Sequence, residues 1–232
     1  MQYLRIKHEN DAIFREGHFP EMRSVYYRDV PLPPPPAQPL AWQAHMQRTD
    51  AVTAILAHRG QRVCALNFAN AMVPGGGYIL GGNAQEEALC RASLLYYTIR
   101  AVTPFYRRNR LHILPDYTDG IILSKDVPVI RNAHGERLSD PMVCDFITCP
   151  AVNRVFARYL FSGARIKAVM ERRIARIIAL ACTVQPEVLI LGAFGCGAFG
   201  NRREDVYPMF ARALGPSPDC EVIFADPAFT TN

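Results

Sequence analysis

The chain has 232 residues, half of them apolar and a fifth charged, with a formal net charge of +5. That length suffices for one substantial hydrophobic core, and the composition excludes a long disordered chain. The positive charge suits a polyphosphate ligand, but no block of Lys or Arg is dense enough to demand DNA or RNA.

Residues 1–30 are polar and mixed, with a short helix predicted around Asn10 to Glu16. The start, Met1 to Lys7, lacks the apolar stretch of a signal peptide. The run from Pro31 to Pro39 forms extended polyproline, a stiff spacer crossing the surface rather than an SH3-type ligand. Thr49 is placed to cap a helix ending near Ala57, and Arg62 to Phe68 form a compact apolar strand. A glycine-rich loop follows, then a helix from about Ala84 to Val102, whose Leu89, Ala92, Leu95, Tyr96 and Ile99 recur at helical spacing.

Strands are predicted at Gly120–Leu123, Val127–Ile130 and Val143–Thr148. A long helix spans about Ile166 to Thr183, with Val169, Ile174, Ile177, Ile178 and Ala181 on one broad face. Lys167, Arg172, Arg173 and Arg176 form its solvated side. Its apolar run from Ile177 to Val184 is too short to span a bilayer. Pro186 stops it, and Val188–Leu191 is an apolar strand. A second glycine-rich loop leads to a helix near Arg203–Ala213, and Glu221–Ala225 close as a final strand. This alternation argues for an α/β fold with a largely interior sheet. Ligands in such sheets bind where loops leave the carboxyl ends of strands, which is where both glycine-rich loops fall.

Seven cysteines, at 64, 90, 144, 149, 182, 196 and 220, include no CxxC pair. That argues against structural zinc. Several sit in apolar runs such as Val63-Cys64-Ala65-Leu66 and read as buried, reduced thiols. The histidines at 8, 18, 45, 58, 112 and 134 show no metal-ligand spacing. A cytoplasmic protein, or a nuclear one in a eukaryote, is expected, with no metal, no membrane partner and no direct nucleic-acid binding.

The first loop runs from Asn67 through Asn70 to Gly75-Gly76-Gly77. Three glycines remove every Cβ from the backbone, which permits positive φ and close approach of a ligand. The amides of Asn67 and Asn70 suit sugar hydroxyls. After a seven-residue spacer from Gly77 stand Gln85-Glu86-Glu87, at the start of the predicted helix. Acids favour that position through the helix dipole alone. They also suit glycosidic chemistry, in which the leaving oxygen needs a proton from a carboxyl group. Adjacent helical residues point about 100° apart, so the two glutamates take different jobs.

The second loop, Leu191 to Asn201, carries Gly195-Cys196-Gly197-Ala198-Phe199 between a strand and a helix. Its exposed N–H groups suit a pyrophosphate, though it matches neither common nucleotide-binding glycine pattern. Phe199 has little local core to join. Cys196, with no nearby His or Asn, reads as a small lining residue rather than a nucleophile.

Three glycines, a short spacer and Gln-Glu-Glu resemble the signature of the poly(ADP-ribose) glycohydrolases. Leu66 to Ala71, Glu87 to Ser93 and Leu191 to Asn201 resemble the compact microbial branch. The resemblance extends from about Asp50 to Phe224, with a fainter echo at Ile13 to Gly17. Arg202-Arg203 stand where the family more often has an acidic-proline step. The resemblance implies a macrodomain-like three-layer sandwich, a mixed central sheet with helices on both faces. It divides the chain into an N-terminal extension, 1–48, packing on the core, and a catalytic domain, 49–232. It implies that Glu87 protonates the ribose–ribose linkage and then activates water, while Glu86 hydrogen-bonds the adjacent ribose. Gly75 to Gly77 would cover the terminal ribose and diphosphate, and Gln85 would be among the substrate-binding residues. Gly195 to Phe199 would embrace the diphosphate from the other side, and Phe224 would lie under the adenine. No cofactor is implied, and a monomer is expected.

Two other functions fit the same cleft: hydrolysis of a mono-ADP-ribose adduct on protein or nucleic acid, and non-catalytic binding of ADP-ribose. The intact Gln85-Glu86-Glu87 argues against the second.

Overall fold

Alternating side chains sort the strands onto two cores. The chain is described here from a computed structural model covering residues 2–17, 19, 21–216 and 218–230; His18 lies outside the described residues. Its elements are α1 (Gln2–Glu16), β1 (Arg23–Tyr27), β2 (Met46–Gln47), α2 (Ala51–Ala57), β3 (Val63–Phe68), α3 (Gln85–Ala92), α4 (Leu95–Ile99), α5 (Thr103–Leu111), β4 (Ile121–Arg131), β5 (Arg137–Cys149), α6 (Arg154–Ala157), α7 (Gly163–Val184), β6 (Val188–Gly192), α8 (Arg203–Leu214) and β7 (Glu221–Ala225). Cys64, Leu66, Leu189, Leu191, Val222 and Phe224 face α7 and α8. Their sequence neighbours Val63, Ala65, Val188, Ile190, Ile223 and Ala225 face the helices α2 to α5. The period of two follows from the pleat, and burial of both faces explains the near-continuous apolar strands.

The seven strands lie in the order β1-β4-β5-β3-β6-β7-β2. Neighbours from β5 through β2 pair in parallel, while β4 pairs antiparallel with β1 and β5. The sheet is therefore mixed and sandwiched between helical layers, as expected. The carboxyl ends of β5, β3, β6 and β7 all leave on one edge. Loops starting at Pro150, Ala69, Ala193 and Asp226 consequently meet there.

Several local expectations are corrected. The helix predicted from Ala84 to Val102 is broken after Ala92. Ser93 leaves helical geometry to bridge Val129, and the N–H of Leu94 donates to the Pro128 carbonyl at 3.0 Å. Asp50 caps α2, not Thr49: its carboxylate accepts from the N–H groups of Val52 and Thr53. The helix expected from Asn10 begins at Gln2. The two short strands around residue 125 are one strand, β4, interrupted by an irregularity between Ser124 and Val127.

Arg173 is not on a solvated face. It is fully buried and donates to the carbonyls of Pro150 and Asp116 and to Asp119 Oδ1. It thereby fixes the 116–119 loop, in which Tyr117 adopts φ +55°. Among the cysteines, all free, Cys64, Cys90, Cys144 and Cys149 are buried but Cys182 is exposed. No helix among the described residues is long and apolar enough to cross a membrane.

The N-terminal segment reaches both edges of the sheet. β1 pairs with β4 and β2 with β7. Residues 31–39 between them are exposed, and the N–H of Leu40 then donates to the Ala211 carbonyl of α8. Asn10 of α1 is fully buried. It donates to the Arg91 carbonyl at 2.9 Å and to the Tyr78 hydroxyl at 3.3 Å, and accepts from Arg131 Nε at 2.9 Å.

Candidate active site

The carboxyl ends of the parallel strands enclose a cavity of about 640 Å³. One wall is Phe68 to Asn70 with Asn83 to Leu89; the other is Gly195, Gly197, Ala198 and Phe199. Asp50, Arg203, Asp226 and Pro227 line it further along.

Gln85 anchors the carboxylate wall. Its Oε1 accepts from the N–H of Phe68 at 2.9 Å and its Nε2 donates to the Leu66 carbonyl at 2.8 Å. The side chain thus bonds the backbone of β3, which fixes the first turn of α3 against the strand end. Each polar end makes one such bond, so Gln85 orients the wall that it also lines.

Glu86 points inward and is buried. It accepts from Asn67 Nδ2 at 3.3 Å and from the Asn70 N–H at 2.7 Å. Burial, reinforced by neighbouring Glu87, pushes its carboxyl up to about 8, although the Asn70 and Asn67 hydrogen bonds favour the charged form. Glu86 is therefore largely protonated at neutral pH.

Glu87 accepts from the N–H of Gly77 at 2.7 Å through Oε1 and from the N–H of Ala84 at 3.0 Å through Oε2. The second bond is the half of a capping box that a residue at the third helical position supplies. Two backbone donors thus fix the orientation of the carboxyl group.

Gly76 explains why the glycine run is needed. Its φ is +56°, and a Cβ there would stand 2.6 Å from Glu87 Oε1 and 3.0 Å from Glu86 Oε2. The other loop has its counterpart in Gly195, where φ is +72° and a Cβ would meet Ala151 at 2.4 Å. Both loops require glycine at those points for closeness as well as conformation.

The cavity brings together Asn70, Gln85, Glu86, Glu87, Gly195, Gly197, Ala198 and Phe199 from the sequence-based set. Asn67 is fully buried behind it and acts on Glu86. Gly75, Gly76 and Gly77 back the carboxylates instead of lining the cavity. Cys196 turns away: its Sγ lies 3.7 Å from the Phe194 carbonyl, and burial pushes its thiol up to about 12, which does not suit a nucleophile.

Phe224 is corrected outright. It is fully buried between the rings of Tyr207 and Phe210, because strand alternation turns it toward α8. Phe199 does find packing, half-buried with its ring 6.0 Å from that of Tyr117.

Tyr117, Asp50 and the Arg203–Asp226–Tyr207 group were not foreseen. Arg203 donates twice to the Asp226 carboxylate, at 2.6 and 3.1 Å, and the Tyr207 hydroxyl donates to it at 2.6 Å. Burial alone works to raise the Asp226 carboxyl, but Arg203, Tyr207 and the Ala228 N–H together hold it below the ordinary carboxylate range. Arg203, at the point where the sequence departs from the family's acidic-proline step, is part of the cavity wall. The position of Asp226 directly after the last parallel strand was a usable signal. Among the described residues, no cluster of three or more His, Cys, Asp or Glu is placed to hold a metal ion.

A mixed sheet in a three-layer sandwich, with a carboxylate pair and two glycine-rich loops around one cavity, defines a macrodomain-like α/β protein. The family described as microbial-type PARG, catalytic domain, matches residues 25–132. The crystal structure of poly(ADP-ribose) glycohydrolase bound to the inhibitor ADP-HPD from Thermomonospora curvata is similar, with a TM-score of 0.82 and 29% identity, covering 97% of this chain and 93% of that one. The Deinococcus radiodurans poly(ADP-ribose) glycohydrolase in complex with ADP-ribose gives a TM-score of 0.67 at 30% identity, covering 78% and 75%. No curated protein sequence matches the chain. The chain belongs to the microbial-type poly(ADP-ribose) glycohydrolase family.

Proposed function

We propose that the protein hydrolyses the ribose–ribose O-glycosidic bonds of poly(ADP-ribose) and releases ADP-ribose. The observation that carries this reading is the carboxylate pair on the cavity wall. One member, Glu87, has both oxygens oriented by backbone amides; the other, Glu86, is buried and protonated near neutrality.

Glu87 transfers a proton to the leaving ribose oxygen as the glycosidic C–O bond breaks, leaving oxocarbenium-like charge on the anomeric carbon. The resulting Glu87 carboxylate takes a proton from water as the water oxygen bonds to that carbon, which restores the acid. Glu86, as a neutral carboxyl, hydrogen-bonds the ribose beside the bond. The N–H groups of the 195–199 loop suit the diphosphate. Supporting this division of labour, the two carboxyl groups, both buried, have different partners, Asn67 and the Asn70 N–H for Glu86 and the Gly77 and Ala84 N–H groups for Glu87; distinct surroundings are a route to distinct acid–base roles. On this reading the protein works as a monomer in the cytoplasm; the described residues of one chain line both walls of the cavity.

The test compares wild type and Glu87→Gln on polymer and on mono-ADP-ribosylated protein. Wild type is expected to release ADP-ribose from polymer without added metal. Glu87→Gln is expected to lose release by at least about a hundredfold while still binding ADP-ribose. Near-normal turnover by Glu87→Gln would remove the assigned acid, and cleavage of mono-adducts alone would move the substrate to that class.

A further inference from the structure

The cavity accounts for one terminal unit of a polymer, but the surface beside it carries apolar and cationic groups that the cavity does not use. Phe156 is 63% exposed and Tyr159 is 72% exposed, on α6 and the turn that follows it. Ile113 and Leu111, beyond and at the end of α5, are exposed as well. Large apolar side chains gathered at one place on a soluble surface mark an interaction site.

These side chains are interleaved with arginines. Stretches 107–117 and 154–165 contain Arg107, Arg108, Arg110, Arg154, Arg158 and Arg165 against a single acid, Asp116. That acid is engaged by Arg165 at 3.2 Å and by His112 at 2.9 Å. Among the described residues, Arg154 and Arg158 have no carboxylate partner. The Arg158 guanidinium lies 4.8 Å from the Tyr159 ring centroid, and that of Arg165 lies 3.9 Å from the Phe161 ring.

The two stretches form one face that is continuous with both cavity loops. The Asn153 N–H donates to the Pro115 carbonyl at 2.9 Å, which joins them. The Val155 N–H donates to the Phe199 carbonyl at 3.3 Å, and Arg154 Nη1 donates to the Gly200 carbonyl at 3.4 Å. On the other side, Arg110 Nη1 donates to the Met72 carbonyl at 2.8 Å, in the loop that leads to the three glycines.

We propose that this face is an exosite for the part of a poly(ADP-ribose) chain lying outside the cavity, with Phe156 and Tyr159 stacking on adenine bases and Arg154 and Arg158 neutralising diphosphates. The inference rests on the polymer reading given above and adds a second, non-catalytic contact to it. Alternating aromatic rings and guanidinium groups match a chain that alternates bases with anions. Charge decides against an apolar protein partner, which would bury Arg154 and Arg158 without counterions.

The full-length protein carrying Phe156→Ser, Arg158→Gln and Tyr159→Ser tests this, since all three side chains are exposed and their replacement leaves the core intact. KM for long polymer is expected to rise roughly tenfold, while kcat and the kinetics on a two-unit fragment stay unchanged. Binding of long polymer by Glu87→Gln, with and without the three substitutions, is measured in parallel at several salt concentrations. The slope of log Kd against log salt is expected to fall by about 1 for the lost arginine. Equal binding and equal KM on long polymer would overturn the exosite. A change in solution mass with unchanged polymer binding would overturn it in favour of self-association. If wild type cleaved neither substrate, the glycohydrolase reading would fall, while the binding comparison would still decide the exosite.

Discussion

The N–H of Gly77 donates to Glu87 Oε1 at 2.7 Å, so the last of the three glycines and the first turn of α3 hold one carboxyl group between them. The seven-residue spacer exists to close that contact. Its 3-10 turn, Tyr78 to Leu80, ends at Gly81 with φ +82°, and the Gly82 N–H returns to the Gly77 carbonyl at 2.8 Å.

Gly76→Ala is expected to abolish activity. The added methyl would stand 2.6 Å from Glu87 Oε1 at a backbone φ of +56°. Strain of that kind costs on the order of 1–3 kcal/mol, and the carboxyl group must move to relieve it. Gly60→Ala is the control: φ is +90° but nothing lies within 4 Å, so stability falls while turnover stays. Equal activity in wild type and Gly76→Ala would show that the loop tolerates the shift.

The pH dependence of stability carries the signature of Glu86. Its folded value of about 8 lies above the ordinary 4.5, so between those values the folded chain keeps a proton that the unfolded chain has released. Stability from this group is complete below about 4.5 and is lost as pH rises through about 8. Glu86→Gln removes the ionisation. Urea unfolding is expected to favour the variant increasingly from about pH 5 to pH 8, by roughly 1 kcal/mol per pH unit. A stability difference that does not change with pH would contradict the assignment.

Arg173→Met leaves two buried carbonyls and the Asp119 carboxylate short of a donor. Removing one side of a buried charge pair typically costs about 3–5 kcal/mol. The loop that presents Tyr117 to Phe199 should loosen at the same time, raising KM in the folded fraction. A loss below about 1 kcal/mol would mean that Arg176 and Arg172, which also reach Asp119, suffice.

Asn10→Ala tests whether α1 steadies the site. The change removes an acceptor from buried Arg131 and the donor to Tyr78, at a cost of about 1–3 kcal/mol. Tyr78 starts the turn that closes on Glu87, so turnover should fall with stability. Glu9→Gln, whose carboxylate meets Arg131 from a side chain 43% exposed, should stay within about 1 kcal/mol. Lost stability with wild-type kinetics would limit α1 to a packing role.

The sequence exposed the site through pairs of features that agree. Glycines followed by Gln85-Glu86-Glu87 marked one wall, and Gly195 to Phe199 marked the other. What it hid depends on contacts distant in the chain. The end of α3 is set by Ser93 bridging Val129, a partner that no local pattern announces. Burial of Arg173 arises because four acceptors from two loops converge on it. Gln85 and Asn67 read as ligand-binding residues, yet Gln85 bonds the backbone of β3 and the Asn67 Nδ2 donates to Glu86 and Thr148. Phe224 was readable: it alternates in step with Val222, and strand period alone assigns it to the core.

β2 completes the sheet beside β7 through Met46–Phe224 and Gln47–Ala225. A ribosome releases the first partner long before the second, so this edge stays open until β7 has been made. Closing so long a span is entropically slow. The cavity, whose far wall includes Ala225 to Pro227, is consequently incomplete until β7 pairs, and a nascent chain truncated before β7 would expose apolar strands without offering a place for substrate.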